Sequence, residues 1–261
     1  MTPTITLLTD FGLQDPYVGV MKGVILGICP GARLVDLTHL IPPQDVDAAG
    51  LALARAYAWF APGTIHLAVV DPGVGSSRRA VAVAAGGHLF VAPDNGLLSR
   101  VMTRAGAYEA HQLEARQYRL AETSHTFHGR DIFAPAAAWL ANGVKPSELG
   151  QTVDQLVLRP DPQPEPTTHG WRVTIIGRDH FGNLITNLSP ELAGPDLEVR
   201  AGQRSLPLCT SYTQVEIGQP LAIWGSDHAL ELSVNQGDAG AVLGLGIGDQ
   251  VVVMATAGGS G

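Results

Sequence analysis

The sequence predicts an α/β fold in two domains, an N-terminal α/β sandwich over residues 1–158 and a smaller all-β barrel over residues 170–261, with a Pro-rich linker at 159–169. Three observations predict it. Through the first 150 residues, short β-branched runs alternate with longer stretches that are apolar at helical spacing, the pattern of a layered structure on a largely parallel, Rossmann-like sheet. The stretch "RPDPQPEPTTHG" (159–170) carries four prolines and no apolar period, so it reads as a semi-rigid connector. Beyond it, "WRVTIIG", "PLAIWG", "ALELSV" and "QVVVMA" are short strands set between Gly, Asp and Asn turns.

The elements follow in order. "TITLLTD" (4–10) reads as the first strand; Asp15-Pro16 then serves as N-cap and first-turn proline for a helix over "YVGVMKGVILGIC", which Pro30-Gly31 stops. "RLVDLTH" is the next strand. Asp45 opens the Ala- and Leu-rich helix "DVDAAGLALARAYAWF", and Pro62-Gly63 precedes the strand "TIHLAVVD". Two short strands surround Gly86-Gly87, a helix follows to about Arg104, and "DIFAPAAAWLANG" is a further helix ending at Asn142-Gly143. Three strands therefore end in Asp10, Thr38-His39 and Asp71, at the carboxyl edge where open α/β sheets bind ligands.

Composition narrows the partners. The chain has 261 residues, 45% hydrophobic and 15% charged, with a formal net charge of −8; this suits a buried core and a small-molecule partner, and argues against nucleic acid. "MTPTITLLTDFG" has no basic segment followed by a long apolar core, so no signal peptide is expected and the predicted location is cytoplasmic. The longest apolar stretch, 239–255, is broken by Asp249, Gln250 and several glycines, so no membrane span is expected. Cys29 and Cys209 lie far apart without a CxxC, which fits a reducing compartment, with a single disulfide as the alternative.

Several residues could carry chemistry. Asp71, in "VVDPGVGSSRR", either starts an ordinary turn or works as a charged group, because it ends an apolar strand and two arginines return seven and eight residues later. Either Arg78 or Arg79 can pair with it. "HTFHGRD" gathers His128, Arg130 and Asp131 ahead of a helix; Asp131 reads as a helix N-cap, and His128 alone is a weak signal. Asp10 suits a ribose diol, while Asp179 and Asn183 in "RDHFGNLITN" suit amino-acid groups or an ordinary turn. No Walker lysine-serine pair and no GxGxxG opening a helix is present, so nucleotide phosphates are poorly provided for.

Taken together, "TDFG…DPYVGVMKG", "DLTH", "VVDPGVGSSRR", "PDNGLL", "TFHGRDIFAPAAA", "DHFGNLITN" and "LAIWGSDHALELSVNQG" resemble the S-adenosyl-L-methionine hydroxide adenosyltransferases, hydrolytic relatives of the bacterial fluorinase and chlorinase. The resemblance implies displacement at ribose C5′ by a water-derived oxygen, giving adenosine and methionine, with no cofactor and no metal. It implies a catalytic trio of Asp71, Arg78 and His128. It also implies Asp10 on the ribose hydroxyls, Asp179, Asn183 and Ser226 on the methionine portion, Val234 and Gln236 at the adenine, and Tyr212 stacking on it. A homotrimer is implied, its sites lying between the α/β domain of one subunit and the β domain of the next. The halogenases carry uncharged residues where Asp71 stands, so halogenation is not expected. Two alternatives stay open: a metal-dependent hydrolase using Asp10, Asp71, His128 and Asp131, and a nonenzymatic sensor of S-adenosylmethionine or adenosine.

Overall fold

In the computed structural model, which describes residues 2–193 and 197–255, the chain divides into two units, Met1–Pro160 and Asp161–Gly261. The first is built on a six-stranded sheet in the order β2-β1-β3-β5-β4-β6, formed by β1 (Thr4–Thr9), β2 (Arg33–Thr38), β3 (Ile65–Val69), β4 (Ala80–Ala85), β5 (His88–Pro93) and β6 (Tyr108–Gln112). The pairs β2/β1, β1/β3 and β3/β5 are parallel, whereas β4 runs antiparallel to both β5 and β6.

The alternation of residues along β3 explains the layers. Ile65, Leu67 and Val69 pack with Met21 and Ile25 of α1 (Tyr17–Ile28) and with Ala137 and Leu140 of α4 (Ala134–Ala141). Ala68 and Val70 face the other way, with Ala49 and Leu53 of α2 (Val46–Ala56) and Val101 of α3 (Ser99–Ala105). Helices thus cover both faces, as buried parallel strands require. Asp45 caps α2 by accepting from the Ala48 amide at 2.9 Å. At α1 the expected Asp15 cap is replaced: Pro16 holds the N-cap position and no side-chain cap bond forms.

Asp131 also departs from its expected place. It lies inside a single π-helical turn, Gly129–Phe133, that leads into α4, and is fully buried. Its carboxylate accepts from the Ser124 amide and hydroxyl, both at 2.8 Å, and from Arg130 Nε at 2.6 Å. It therefore ties down the preceding loop, a task that looks like a helix cap in sequence.

The second unit holds β7 (Glu165–Thr167), β8 (Gly170–Arg178), β9 (Leu184–Thr186), β10 (Leu197–Ala201), β11 (Arg204–Leu206), β12 (Leu208–Cys209), β13 (Pro220–Trp224), β14 (Leu230–Val234) and β15 (Gln250–Ala255), with short helices α5 (Pro190–Ala193) and α6 (Ala239–Leu243). Its sheet runs β11-β10-β15-β8-β9-β14-β13-β12, with β7 pairing β8 from inside the Pro-rich stretch. The terminal strands β11 and β12 are separated in sequence only by Pro207, so the sheet curls into a nearly closed barrel. Val173, Ile175, Val199, Leu230, Leu232, Val251 and Val253 fill it.

Candidate active site

At the carboxyl end of β3 the chain leaves the sheet at Asp71 and turns twice within "DPGVGSS". The Val74 amide donates to Asp71 O at 3.2 Å and the Ser76 amide to Gly73 O at 3.1 Å. These two amides are committed to the loop itself and are not available to a phosphate. Gly75 has φ of 77° and lies against the His125 carbonyl, a place with no room for a side chain. Asn95 steadies the exit of β3 by donating from Nδ2 to Val70 O at 2.9 Å.

The two consecutive arginines separate. Arg78 Nε donates to Asp71 Oδ1 and Oδ2 at 2.9 and 3.0 Å, and its Nη2 also pairs with Oδ2. Arg79 turns to Asp94, donating from Nε at 2.8 Å, and to Gln155 O at 2.8 Å. The Asp71 and Arg78 side chains are 5% and 10% exposed, so this is a shielded pair with strong charge-assisted hydrogen bonds. The Arg78 guanidinium also lies 5.2 Å from the Phe133 ring centre.

Arg78 reaches the third member of the trio as well: its Nη2 lies 2.7 Å from His128 Nδ1. A guanidinium can only donate, so Nδ1 accepts and the imidazole is neutral with its proton on Nε2. Burial and then the Arg78 charge push His128 below the ordinary imidazole pKa, which agrees with that tautomer.

Asp71 and His128 line a cavity of about 390 Å³ together with Asp10, Gln44, Tyr17 and Phe127. Arg78 is not among its lining residues; it holds the two that are. Asp10 Oδ2 accepts from the Gln44 amide at 2.8 Å, where Gln44 adopts φ of 67°. Phe11, Tyr17 and Phe127 meet edge to face, with ring centres 5.1 to 5.9 Å apart, and form an apolar wall. Sequence reading missed these three rings and Gln44. The rings had a signal, since aromatics are 6% of the chain and these three sit inside "DFG", "DPY" and "TFHG"; Gln44 had none, because it acts through its backbone.

The remaining expected site residues lie in the second unit. Asp179 Oδ1 accepts from the Phe181 and Asn183 amides, both at 2.9 Å, and its Oδ2 accepts from Asn183 Nδ2 at 2.8 Å. This closes the turn between β8 and β9 and holds both polar side chains together. Burial pushes the Tyr212 hydroxyl pKa up, with the Glu231 and Asp179 carboxylates adding to it, so Tyr212 stands in the field of that turn. Glu231 on β14, buried at 5% exposure, was not anticipated. Ser226 is exposed in the turn joining β13 to β14. Val234 ends β14, and Gln236 follows at φ of 54° in a turn where the Gly237 amide donates to Val234 O at 3.1 Å. That turn adjoins the Asp179 loop, because the Ala239 amide donates to Gly182 O at 3.1 Å.

Comparison with known proteins matches both units. Residues 5–150 match the N-terminal domain of SAM hydroxide adenosyltransferases, and residues 173–252 match the C-terminal domain. The chain is 40% identical over 258 residues to the (R)-S-adenosyl-L-methionine hydrolase of Salinispora tropica, covering 97% of this chain and 98% of that one. It is 42% identical over 248 residues to the enzyme of the same name from Thermus thermophilus, covering 92% and 95%. The crystal structure of an uncharacterized conserved protein from Thermotoga maritima superposes with a TM-score of 0.89 at 36% identity, over 95% of this chain and 99% of that one. With both of its units matched in order, the chain belongs to the SAM hydroxide adenosyltransferase family.

Proposed function

We propose that this protein hydrolyses S-adenosyl-L-methionine to adenosine and L-methionine by in-line attack of a water-derived oxygen on ribose C5′. The observation that carries the reading is the Arg78 bridge, which fixes Asp71 and a neutral His128 on the wall of one cavity. Free hydroxide is scarce at neutral pH because water's pKa is about 15.7, so the attacking water needs an acceptor. Asp71 Oδ1 takes a single hydrogen bond from Arg78, which leaves it a lone pair for a water proton. As the C5′–O bond forms, the C5′–S bond breaks and the sulfonium leaves as a neutral thioether. The water's proton passes to Asp71 and then to solvent, so no acid has to assist departure.

Positioning carries the remainder of the rate, and can supply roughly 7 to 11 kcal/mol in favourable cases. In this reading Asp10 holds the ribose hydroxyls, Asp179, Asn183 and Ser226 the methionine portion, and Val234, Gln236 and Tyr212 the adenine. The site needs no metal: the cation beside Asp71 is a guanidinium. A halide would meet the Asp71 carboxylate, which argues against halogenation. The two half-sites are completed between copies of the chain in a homotrimer. The outer face of α1 supports self-association, since Gly19, Gly23 and Gly27 have open space beside them and Val20 and Leu26 are exposed. Cys29 and Cys209 are free buried thiols, which fits work in the reducing cytoplasm.

The test is direct. Purified protein incubated with S-adenosylmethionine in heavy-oxygen water should release methionine and adenosine labelled at the 5′-hydroxyl. Asp71→Asn should lose about 10² to 10⁴ in turnover, the range of general-base catalysis, while ligand binding stays measurable by calorimetry. Binding without product would leave the sensor reading, and label at another position would exclude attack at C5′.

A further inference from the structure

We propose that the first unit carries a second binding site, for a small oxyanion with phosphate or carboxylate oxygens, in the recess formed by residues 116–123. The recess has a volume of about 410 Å³ and is lined by Arg116, Arg119, Leu120, Ala121 and Thr123. It shares no lining residue with the cavity that holds Asp71 and His128.

Two guanidiniums and a hydroxyl face a space with no carboxylate in its lining. Arg119 donates from Nη2 to Leu113 O, yet its Nε is buried without a hydrogen-bond partner. A buried charged donor left unsatisfied is costly, so protein acceptors compensate the Arg119 guanidinium charge only in part. The Arg116 side chain makes no hydrogen bond or ion pair among the described residues. The Arg119 charge also stands within electrostatic reach of Arg116 and Arg78, against a single opposing acid, Glu114. The lining itself therefore carries positive charge that favours an anion, although Glu122 lies in the same segment and the whole chain is acid-rich at a net −8.

The recess is also held in shape before anything binds. Its first residues form a 3₁₀ turn, Arg116–Tyr118, whose Tyr118 ring packs 5.6 Å from that of Trp139. The Ala115 amide donates to Leu149 O at 2.9 Å, and the Leu120 amide donates to Asp131 O at 3.0 Å. Guanidinium forks on such a fixed frame match the planar oxygen pairs of carboxylate and phosphate. Thr123 adds a donor for a further oxygen.

Isothermal calorimetry and thermal unfolding of the full chain, with sodium phosphate and sodium malonate compared against sodium chloride at equal ionic strength, test the site. At least one oxyanion should bind saturably and raise the unfolding midpoint where chloride does not. A response to phosphate alone assigns a phosphate-type ligand, and one to malonate alone a carboxylate. Arg116→Ala should weaken binding about tenfold, as expected for losing one charge-assisted hydrogen bond. Arg119→Gln should abolish it, but that variant also loses the Leu113 contact, so Arg116→Ala decides the matter if Arg119→Gln does not fold. An equal response to chloride, or wild-type affinity in Arg116→Ala, overturns the proposal.

Discussion

At the scale of the residue, the 2.7 Å contact from Arg78 to His128 determines which imidazole nitrogen carries a proton, and this has a consequence in acid. Protonating His128 would place an N–H against Arg78 and break the bridge. Because the folded pKa is depressed by burial and by Arg78, the bridge persists through neutral pH and fails only below the ordinary imidazole value. The acid limb of the kcat profile should therefore lie below about pH 6.5, and it should be absent from the residual activity of His128→Gln; a limb that survives unchanged would assign it to another group. A second histidine responds differently. His66 is fully buried, bonded to Thr6 Oγ1 at 2.8 Å and to His88 at 3.2 Å, and burial followed by His88 lowers its pKa to about 3. Between about 6.5 and 3 the unfolded chain binds a proton that the folded chain refuses. Stability should fall as pH drops through that window, by at most about 1.4 kcal/mol per pH unit for this one proton. Urea unfolding at a series of pH values should show the slope in the parent and a shallower one in His66→Gln.

At the scale of the element, the loop between β3 and β4 depends on Gly75. An alanine there would have to hold φ of 77° and would overlap the His125 carbonyl oxygen, so Gly75→Ala should cost about 1–3 kcal/mol and reduce turnover by displacing Arg78. Gly31→Ala, where nothing lies within 4 Å, is the control, and equal losses in both variants would remove the loop from the argument. The elements also show what was legible in the sequence. β1, α1, α2 and β3 were readable because apolar period and Pro-Gly punctuation agree. β6 was not, because "YEAHQ" sits at the sheet edge and its buried His111 reads as polar. The π turn at Gly129–Phe133 was hidden for another reason: an aspartate ahead of an alanine-rich helix resembles a cap whichever hydrogen bonds it makes. In the site, spacing alone could not choose between Arg78 and Arg79. The choice rests on Asp94, fifteen residues beyond Arg79, which accepts from it and from the Val157 amide at 2.7 Å.

At the scale of the whole molecule, a homotrimer with shared sites makes a prediction that no single-chain site would meet. Asp71→Asn should be inactive through the first unit and an Asp179→Ala, Asn183→Ala double variant through the second. Mixing the two after dissociation and reassembly should restore part of the activity, because some interfaces then pair two intact halves. Mixtures as inactive as their parents, or a monomer by sedimentation, would count against shared sites. The second unit has one more property at this scale. Its two terminal strands are neighbours in sequence across Pro207, which keeps the two ends of the sheet at one seam, and the residue at that seam has no N–H to offer another molecule. A barrel that brings its own edges together in this way is protected against runaway edge-to-edge aggregation, which matters most while newly made chains are crowded and waiting for partners.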